Sequence, residues 1–408
     1  MKSARASRFR PPLAECRPVA LPSPHGDRSD EYYWLRDDSR SDEAVLAYLR
    51  AENGYCAAML EPLEPLRNRL YQEITGRIKL DDASVPYRYR GHWYYARYDP
   101  REQYPVHLRK ADLPEASEQV LLDEAAMARE YDYFELGSYE VSRDDRLLAW
   151  TEDLVGRGQY TLRIRHIESG ERLPDAISGV EADIAWAADG SSLLYIEQDP
   201  TTLMGRRVRR HVLGDDPASD RVVYEEPDDR YYLGLGASKD DEYLFVFCSS
   251  TLSSEQHYAR ADDPDLLFRP VIRREDRHEY EAEHFRGRWI LRSNADAPNF
   301  RLVSLPVGPT AGLEACEEIL AHSEQTMLTD FDVFAEFLAI EERNAGLCRV
   351  RVQRWREGGH FYLEPEQPAC NVELDDNAEM ESLSLRYCVN SLATPEVTCE
   401  YDLVEETT

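Results

Sequence analysis

The chain has 408 residues, 42% hydrophobic and 31% charged, a globular composition with room for two or three ordinary domains or one large repeat array. Its net charge of −31 argues against nucleic acid, whose phosphates call for an excess of Lys and Arg, and no run reaches the roughly eighteen apolar residues that span a bilayer. The eight cysteines are scattered, without a CxxC pair or zinc-ligand spacing, and read as reduced thiols of a cytoplasmic protein.

Only four of the 48 basic residues are lysines: Lys2, Lys79, Lys110 and Lys239. The plain reading of this balance is an acidic, soluble surface. The sharper one is a negative interior field that gathers cationic substrates. The basic start, Met1 to Ala6, has no apolar core behind it, which argues against a secretory signal and leaves a transit peptide as the weaker alternative.

Residues 1 to 30 are rich in Pro and poor in apolar side chains, and predict an extended arm lying on another surface. Residues 41 to 75 have helical spacing. Val45, Leu46, Leu49, Cys56, Met59 and Leu60 share one face, with Ser41 or Asp42 as N-cap. Pro62 opens a second segment in which Leu66, Leu70 and Ile74 recur every fourth residue, and Gly76 is placed to end it. Both amphipathic helices need a surface to pack against.

After Lys79 the period becomes that of strands. Short β-rich runs such as His92–Tyr98, Leu147–Trp150, Tyr243–Phe247 and Phe337–Ile340 alternate with turns. Leading residues Tyr87, Tyr139, Ile184, Leu235, His284, Phe331 and Leu383 recur at intervals of 45 to 52. Several repeats carry a polar turn, as at Ser142-Arg143-Asp144-Asp145 and Ser238-Lys239-Asp240-Asp241. Seven units of this length without a helix predict a mainly β fold: a seven-bladed β-propeller over 79–408, preceded by an N-terminal helical segment over 1–78. The completeness of the last blade is left open. The competing reading, a β-sandwich followed by unrelated strands, does not explain seven similar intervals.

No motif carries chemistry. There is no nucleophile elbow, no phosphate loop, no zinc helix and no dinucleotide fingerprint. The nearest string to an elbow, Gly236-Ala237-Ser238-Lys239-Asp240, lacks the second Gly and sits in a repeat's polar turn. The ten histidines are dispersed, and each reads as structural. The acidic clusters Glu225-Glu226-Pro227-Asp228-Asp229 and Asp375-Asp376 read as solvated turns, with a channel rim that attracts basic peptides as the alternative. No catalytic, cofactor-binding or metal-binding residue is assigned, and no cofactor is expected.

Longer strings point to a family. Asp30-Glu31-Tyr32-Tyr33-Trp34-Leu35-Arg36-Asp37-Asp38 and Tyr48-Leu49-Arg50-Ala51-Glu52-Asn53-Gly54-Tyr55 resemble the N-terminal signature of the prolyl oligopeptidase family. Ser84-Val85-Pro86-Tyr87, Gln103-Tyr104-Pro105-Val106-His107, Tyr133-Phe134-Glu135-Leu136-Gly137, Ala185-Trp186-Ala187-Ala188-Asp189-Gly190 and Tyr387-Cys388-Val389-Asn390-Ser391-Leu392 are similar to its oligopeptidase B branch.

The resemblance implies a serine endopeptidase. In that family the helical segment packs on an α/β-hydrolase domain, and the propeller gates access of short peptides, here with Lys or Arg at the cleavage site. The family's Ser, Asp and His lie in a domain of about 250 residues that follows the propeller. No position in these 408 residues matches them, so the expectation is a chain that does not cut peptides alone. The missing hydrolase domain is the partner it implies, with no nucleic acid and no membrane. A stand-alone propeller that binds peptides or proteins is the alternative. A peptidase acting through unrecognised residues is a more remote third.

Overall fold

Asp42 accepts hydrogen bonds from the backbone N–H groups of Ala44 and Val45, at 2.8 and 3.2 Å, and so opens helix α1 (Glu43–Leu60). Pro62 then shapes a 3₁₀ turn, Glu61–Leu63, that leads into α2 (Glu64–Thr75). Gly76 ends α2 by donating its N–H to the Gln72 carbonyl at 2.9 Å. Its φ of −68° is helical, so this is not the left-handed glycine cap.

The computed structural model describes residues 10–308, 312–356, 358–363, 365 and 369–408, and the chain divides into two units, Met1–Leu80 and Asp81–Thr408. Within the first unit the expected arm is corrected in part: Val19–Leu21 pairs antiparallel with Arg28–Asp30 as a short hairpin. Residues 1–9 lie outside the described residues. The Trp34 indole N–H donates to the Glu15 carbonyl at 2.8 Å, Arg17 stacks on the Trp34 ring at 4.3 Å, and Trp34 meets Tyr48 of α1 edge-on. Of the predicted helical face Val45 alone is buried, while Leu49, Met59, Leu60, Leu66, Leu70 and Ile74 are between 43% and 59% exposed.

The second unit is mainly β and propeller-like, with antiparallel sheets formed in chain order. Sheet 1 spans Asp82–Asp123, sheet 2 Glu135–Glu225, sheet 3 Tyr232–Pro270, sheet 4 Tyr280–Leu320, sheet 5 Thr326–Leu363 and sheet 6 Asn371–Asp402. Sheet 6 has three strands, and among the described residues five sheets have four or more, which corrects the expectation of seven blades. Arg172–Trp186 runs through as one 15-residue strand, pairing its first half with Tyr160–His166 and its second with Ser192–Gln198. Two four-strand repeats are thereby fused into one seven-stranded ladder. A cluster of Leu162, Ile164 and Ile177 with Trp186, Leu193 and Tyr195 packs the two halves of that ladder against each other.

Two further corrections concern the repeat. A five-residue helix, Glu124–Ala128, follows sheet 1 where only strand was expected, because Asp123 caps it through Ala126 N–H at 2.8 Å. The first six leading residues lie in first strands of the repeats. Leu383 instead precedes a second strand, Ser384–Asn390. The first strand of sheet 6 is only Asn371–Leu374, and a long connection replaces the tight hairpin, so the spacing slides by one strand.

The continuous apolar runs follow from burial on both faces of a sheet. In Tyr243-Leu244-Phe245-Val246, Leu244 and Val246 pack on sheet 2 while Tyr243 and Phe245 pack on Trp289 of sheet 4. Likewise Leu338 and Ile340 face sheet 4, and Phe337 and Ala339 face sheet 6. Sheets 1 and 2 meet through Tyr94, Leu121, Leu148 and Trp150. Sheet 6 reaches back to the sheet 1 segment by polar contacts: Glu379 pairs with Arg88 at 3.4 Å, and Arg386 donates to the Pro86 carbonyl. No strand ladder joins these two sheets among the described residues.

The polar turns are a structural repeat. Ser142 and Ser238 each donate to an Asp two residues on, at 2.7 Å, and accept the N–H five residues on at 2.9 Å. Asp145, Gly190 and Asp241 hold the equivalent left-handed position, with φ of 59°, 64° and 61°. All eight cysteines are free thiols.

Candidate functional site: an acid-lined axial cavity

First strands of successive repeats line a cavity of about 700 Å³. Its wall combines tyrosines, Tyr87, Tyr89 and Tyr139, with the charged groups Arg90, Glu140, Lys239, Asp241 and Glu283. Strand Tyr232–Ala237 contributes Gly236 to the lining and carries Gly234 on the same face of the strand. A Cβ at Gly236 would come within 3.0 Å of the Phe247 ring, and one at Gly234 within 3.3 Å of the Asp183 carboxylate. The bare backbone there lets Asp183 accept the Leu235 N–H at 3.2 Å.

Two of the cavity's carboxylates, Glu140 and Glu283, are raised toward neutrality. The Glu140 side chain is open to the cavity but has protein around it, and this desolvation pushes its pKa up to about 7, with Asp241 and Asp183 adding repulsion and Arg90 opposing it. Burial raises Glu283 to about 8, although the backbone N–H groups of His284 and Lys239 donate to its carboxylate at 2.6 and 3.1 Å. Asp330, which does not line this cavity, is likewise raised by burial to about 6.

Three cations answer these acids. Arg90 pairs with Asp241 at 2.7 Å and lies over the Tyr89 ring at 4.7 Å. Arg143 approaches the same Asp241 at 3.8 Å. The Lys239 ammonium, 9% exposed, contacts Asp332 at 2.6 Å and the Phe334 ring face at 3.6 Å. Burial pulls Lys239 down and pushes Asp332 up, while each draws the other toward its charged form.

Such a chamber can hold and orient a cationic or amphipathic chain. Among the described residues that line it, no nucleophile is paired with a base. Ser238, Asp240 and His284 contain the residue types of a hydrolase triad in the wrong order: Asp240 sits between the other two, accepting from Ser238 at 2.7 Å and facing His284 Nδ1 at 2.5 Å. The His284 Nε2 accepts the Gly287 N–H at 3.1 Å. Ligand atoms of Asp240, Glu242 and His284 lie within 4.8 Å of one another, yet both His284 nitrogens are already engaged. The residues do not make a metal site.

The acidic clusters singled out in the sequence lie elsewhere. Glu226 is neither a solvated turn nor a channel rim. It is 2% exposed, accepts from Tyr224 OH at 3.0 Å, and pairs with Arg274 at 2.5 Å. Its burial closes the joint beside sheet 3. Asp375 and Asp376 do not line the axial cavity. Sequence reasoning missed Lys239 and the carboxylates of the first strands. The available signals were the scarcity of lysine and the acids at every second position, as at Glu181/Asp183 and Asp330/Asp332.

The model of the family described as "Prolyl oligopeptidase, N-terminal beta-propeller domain" matches residues 11–408. The chain belongs to the prolyl oligopeptidase family. Dipeptidyl aminopeptidase BI of Pseudoxanthomonas mexicana is 41% identical over 98% of this chain and 57% of its own length. Protease 2 of Moraxella lacunata is 30% identical over 93% of this chain and 56% of its own length. Oligopeptidase B from Leishmania major superposes with a TM-score of 0.90 at 25% identity, covering 98% of this chain and 60% of that one. The chain thus spans little more than half the length of the relatives it matches. No helix among the described residues is long and apolar enough to cross a membrane.

Proposed function

We propose that this chain is the substrate-gating propeller of an oligopeptidase B-like serine peptidase, acting with an α/β-hydrolase domain on short peptides with Lys or Arg at the cleavage site. The acid-lined axial cavity supports this reading most strongly, because its carboxylates meet cationic side chains at the centre of the ring. In the same reading the seven-stranded sheet counts as two blades sharing Arg172–Trp186, which gives a seven-bladed ring. The exposed faces of α1 and α2 serve the hydrolase domain, and the protein works in the cytoplasm.

The 41% identity to an enzyme named as a dipeptidyl aminopeptidase favours a second reading. There the same acids would receive a peptide's terminal ammonium, which is also a cation, instead of a basic side chain. Joining this chain to the hydrolase domain of the Pseudoxanthomonas relative separates the two. Cleavage after internal Lys or Arg of an N-acetylated peptide supports the first. Cleavage that requires a free amino terminus supports the second. Unrestricted digestion of a folded protein by the chimaera refutes gating in either form.

A further inference from the structure

Sheets 1 to 6 follow one another in packing order, so an ion pair between sheets that are not neighbours must run across the interior. Among the described residues, apart from the Arg88–Glu379 pair between the first and last sheets, two such chords exist. Arg90, in the first turn of sheet 1, reaches Asp241 of sheet 3 at 2.7 Å, passing the whole of sheet 2. Lys239 of sheet 3 reaches Asp332 of sheet 5 at 2.6 Å, passing sheet 4. Both chords start from the same turn, Lys239-Asp240-Asp241, and Arg143 of sheet 2 reinforces the first at 3.8 Å.

These residues also divide space. Besides the 700 Å³ cavity, a second one of about 810 Å³ lies against the connection 378–384 of sheet 6. Tyr89, Arg90, Lys239 and Asp241 line both cavities, so they are the wall between them. Ala378 borders both cavities as well, and the pairs Arg90–Asp241 and Lys239–Asp332 hold the charged part of this wall.

We infer that Arg90–Asp241 and Lys239–Asp332 form an electrostatic latch that closes the axial cavity at its polar-turn mouth, and that these internal cations occupy carboxylates a cationic chain must capture to pass. Each chord is a charge pair at hydrogen-bond distance in a partly dehydrated setting, where Coulomb attraction is stronger than at an open surface. A polycation offers Asp241 and Asp332 an equivalent partner, a neutral molecule offers none, and an anion that pairs with Arg90 or Lys239 meets the carboxylates Glu140 and Glu283 on the same lining. The latch would therefore discriminate by charge. This inference goes beyond the gating role proposed above and stands on the ring geometry, so it can fail while the peptidase reading survives.

The test places a reporter thiol at Ala237→Cys, which lines the first cavity only, and follows its modification by a quaternary-ammonium methanethiosulfonate with peptide mass spectrometry. Buried Cys248 in the same chain reports unfolding. Opening the latch with Arg90→Gln and Lys239→Met, which leaves Asp241 and Asp332 in place, is expected to raise the rate at residue 237 at least tenfold while Cys248 stays unmodified. The charge swap Arg90→Asp with Asp241→Arg, made with Lys239 intact, is expected to return the rate to within threefold of the parent. A rate at residue 237 that stays within twofold on opening, that rises only in step with Cys248, or that stays fast in the swap overturns the latch.

Discussion

Replacing Arg274 with Met tests how the sheets are held together, because this one guanidinium serves two buried carboxylates. Its Nε donates to Glu255 at 2.8 Å and its terminal nitrogens fork onto Glu226 at 3.2 and 2.5 Å, while its plane lies 3.9 Å from the centre of the Tyr231 ring. The Glu226 side chain has no exposure and that of Glu255 has 9%. Without Arg274, Glu226 keeps only Tyr224 OH and the Asp228 N–H, and Glu255 keeps His257 and the residue 274 N–H. Orphaning a buried charge costs about 3–5 kcal/mol, or a fall in Tm of roughly 4–7 °C in a unit of this size.

The pH dependence has a definite sign. Despite desolvation, hydrogen bonds from His257 and Arg274 hold Glu255 down at about 2, and Arg274 depresses Glu226 too. Their contribution is complete above the unfolded value of about 4.3, and it is lost as pH falls toward 2. Thermal melts from pH 7 to pH 3 should therefore show the gap between Arg274→Met and the parent narrowing with acid. Glu226→Gln and Glu255→Gln added to Arg274→Met should recover part of the loss. A single variant within about 1 kcal/mol of the parent at pH 7 would show that the carboxylates find other partners, and would refute the reasoning.

Three more outcomes are expected. His211 is fully buried, with Nδ1 3.0 Å from Asp220 and Nε2 2.9 Å from Asp175, so His211→Asn should cost about 3–5 kcal/mol in urea unfolding by stranding two acids. Gly137→Ala should cost about 1–3 kcal/mol by overpacking, since its Cβ would lie 2.5 Å from Thr151 Oγ1 and 2.8 Å from the Tyr160 ring. Glu283 is raised to about 8, so the native state binds its proton more tightly than the unfolded chain and loses stability as pH climbs from about 4 to 8. Glu283→Gln should accordingly melt above the parent at pH 9 and show no such gain at pH 4.

The repeat was legible because its period and its buried runs come from local constraints. Runs such as Tyr243–Val246 are apolar without alternation because both faces of each sheet are covered. The Ser142 and Ser238 turns announced themselves by side chains that bond their own backbone. The fused strand Arg172–Trp186 was not legible, since nothing in a single strand's pattern says that its two halves pair with different partners. The site was harder still. Lys239 and Asp332 lie 93 positions apart, and Arg90 and Asp241 lie 151 apart, so only the packing of successive sheets brings them together. Glu226 was misjudged for the same reason, because its burial depends on Arg274, 48 positions away.

The most direct test of the central claim is fluorescence anisotropy with two hexapeptides of equal size, one carrying three arginines and one carrying three glutamates, at pH 6 and pH 9. Glu140 and Glu283 pass from largely protonated to ionised across this window. The account predicts that the basic peptide binds and tightens severalfold with rising pH, that the acidic one does not bind, and that Glu140→Gln with Glu283→Gln removes the pH step. Equal binding of the two peptides, or a pH step that survives the double substitution, would contradict it.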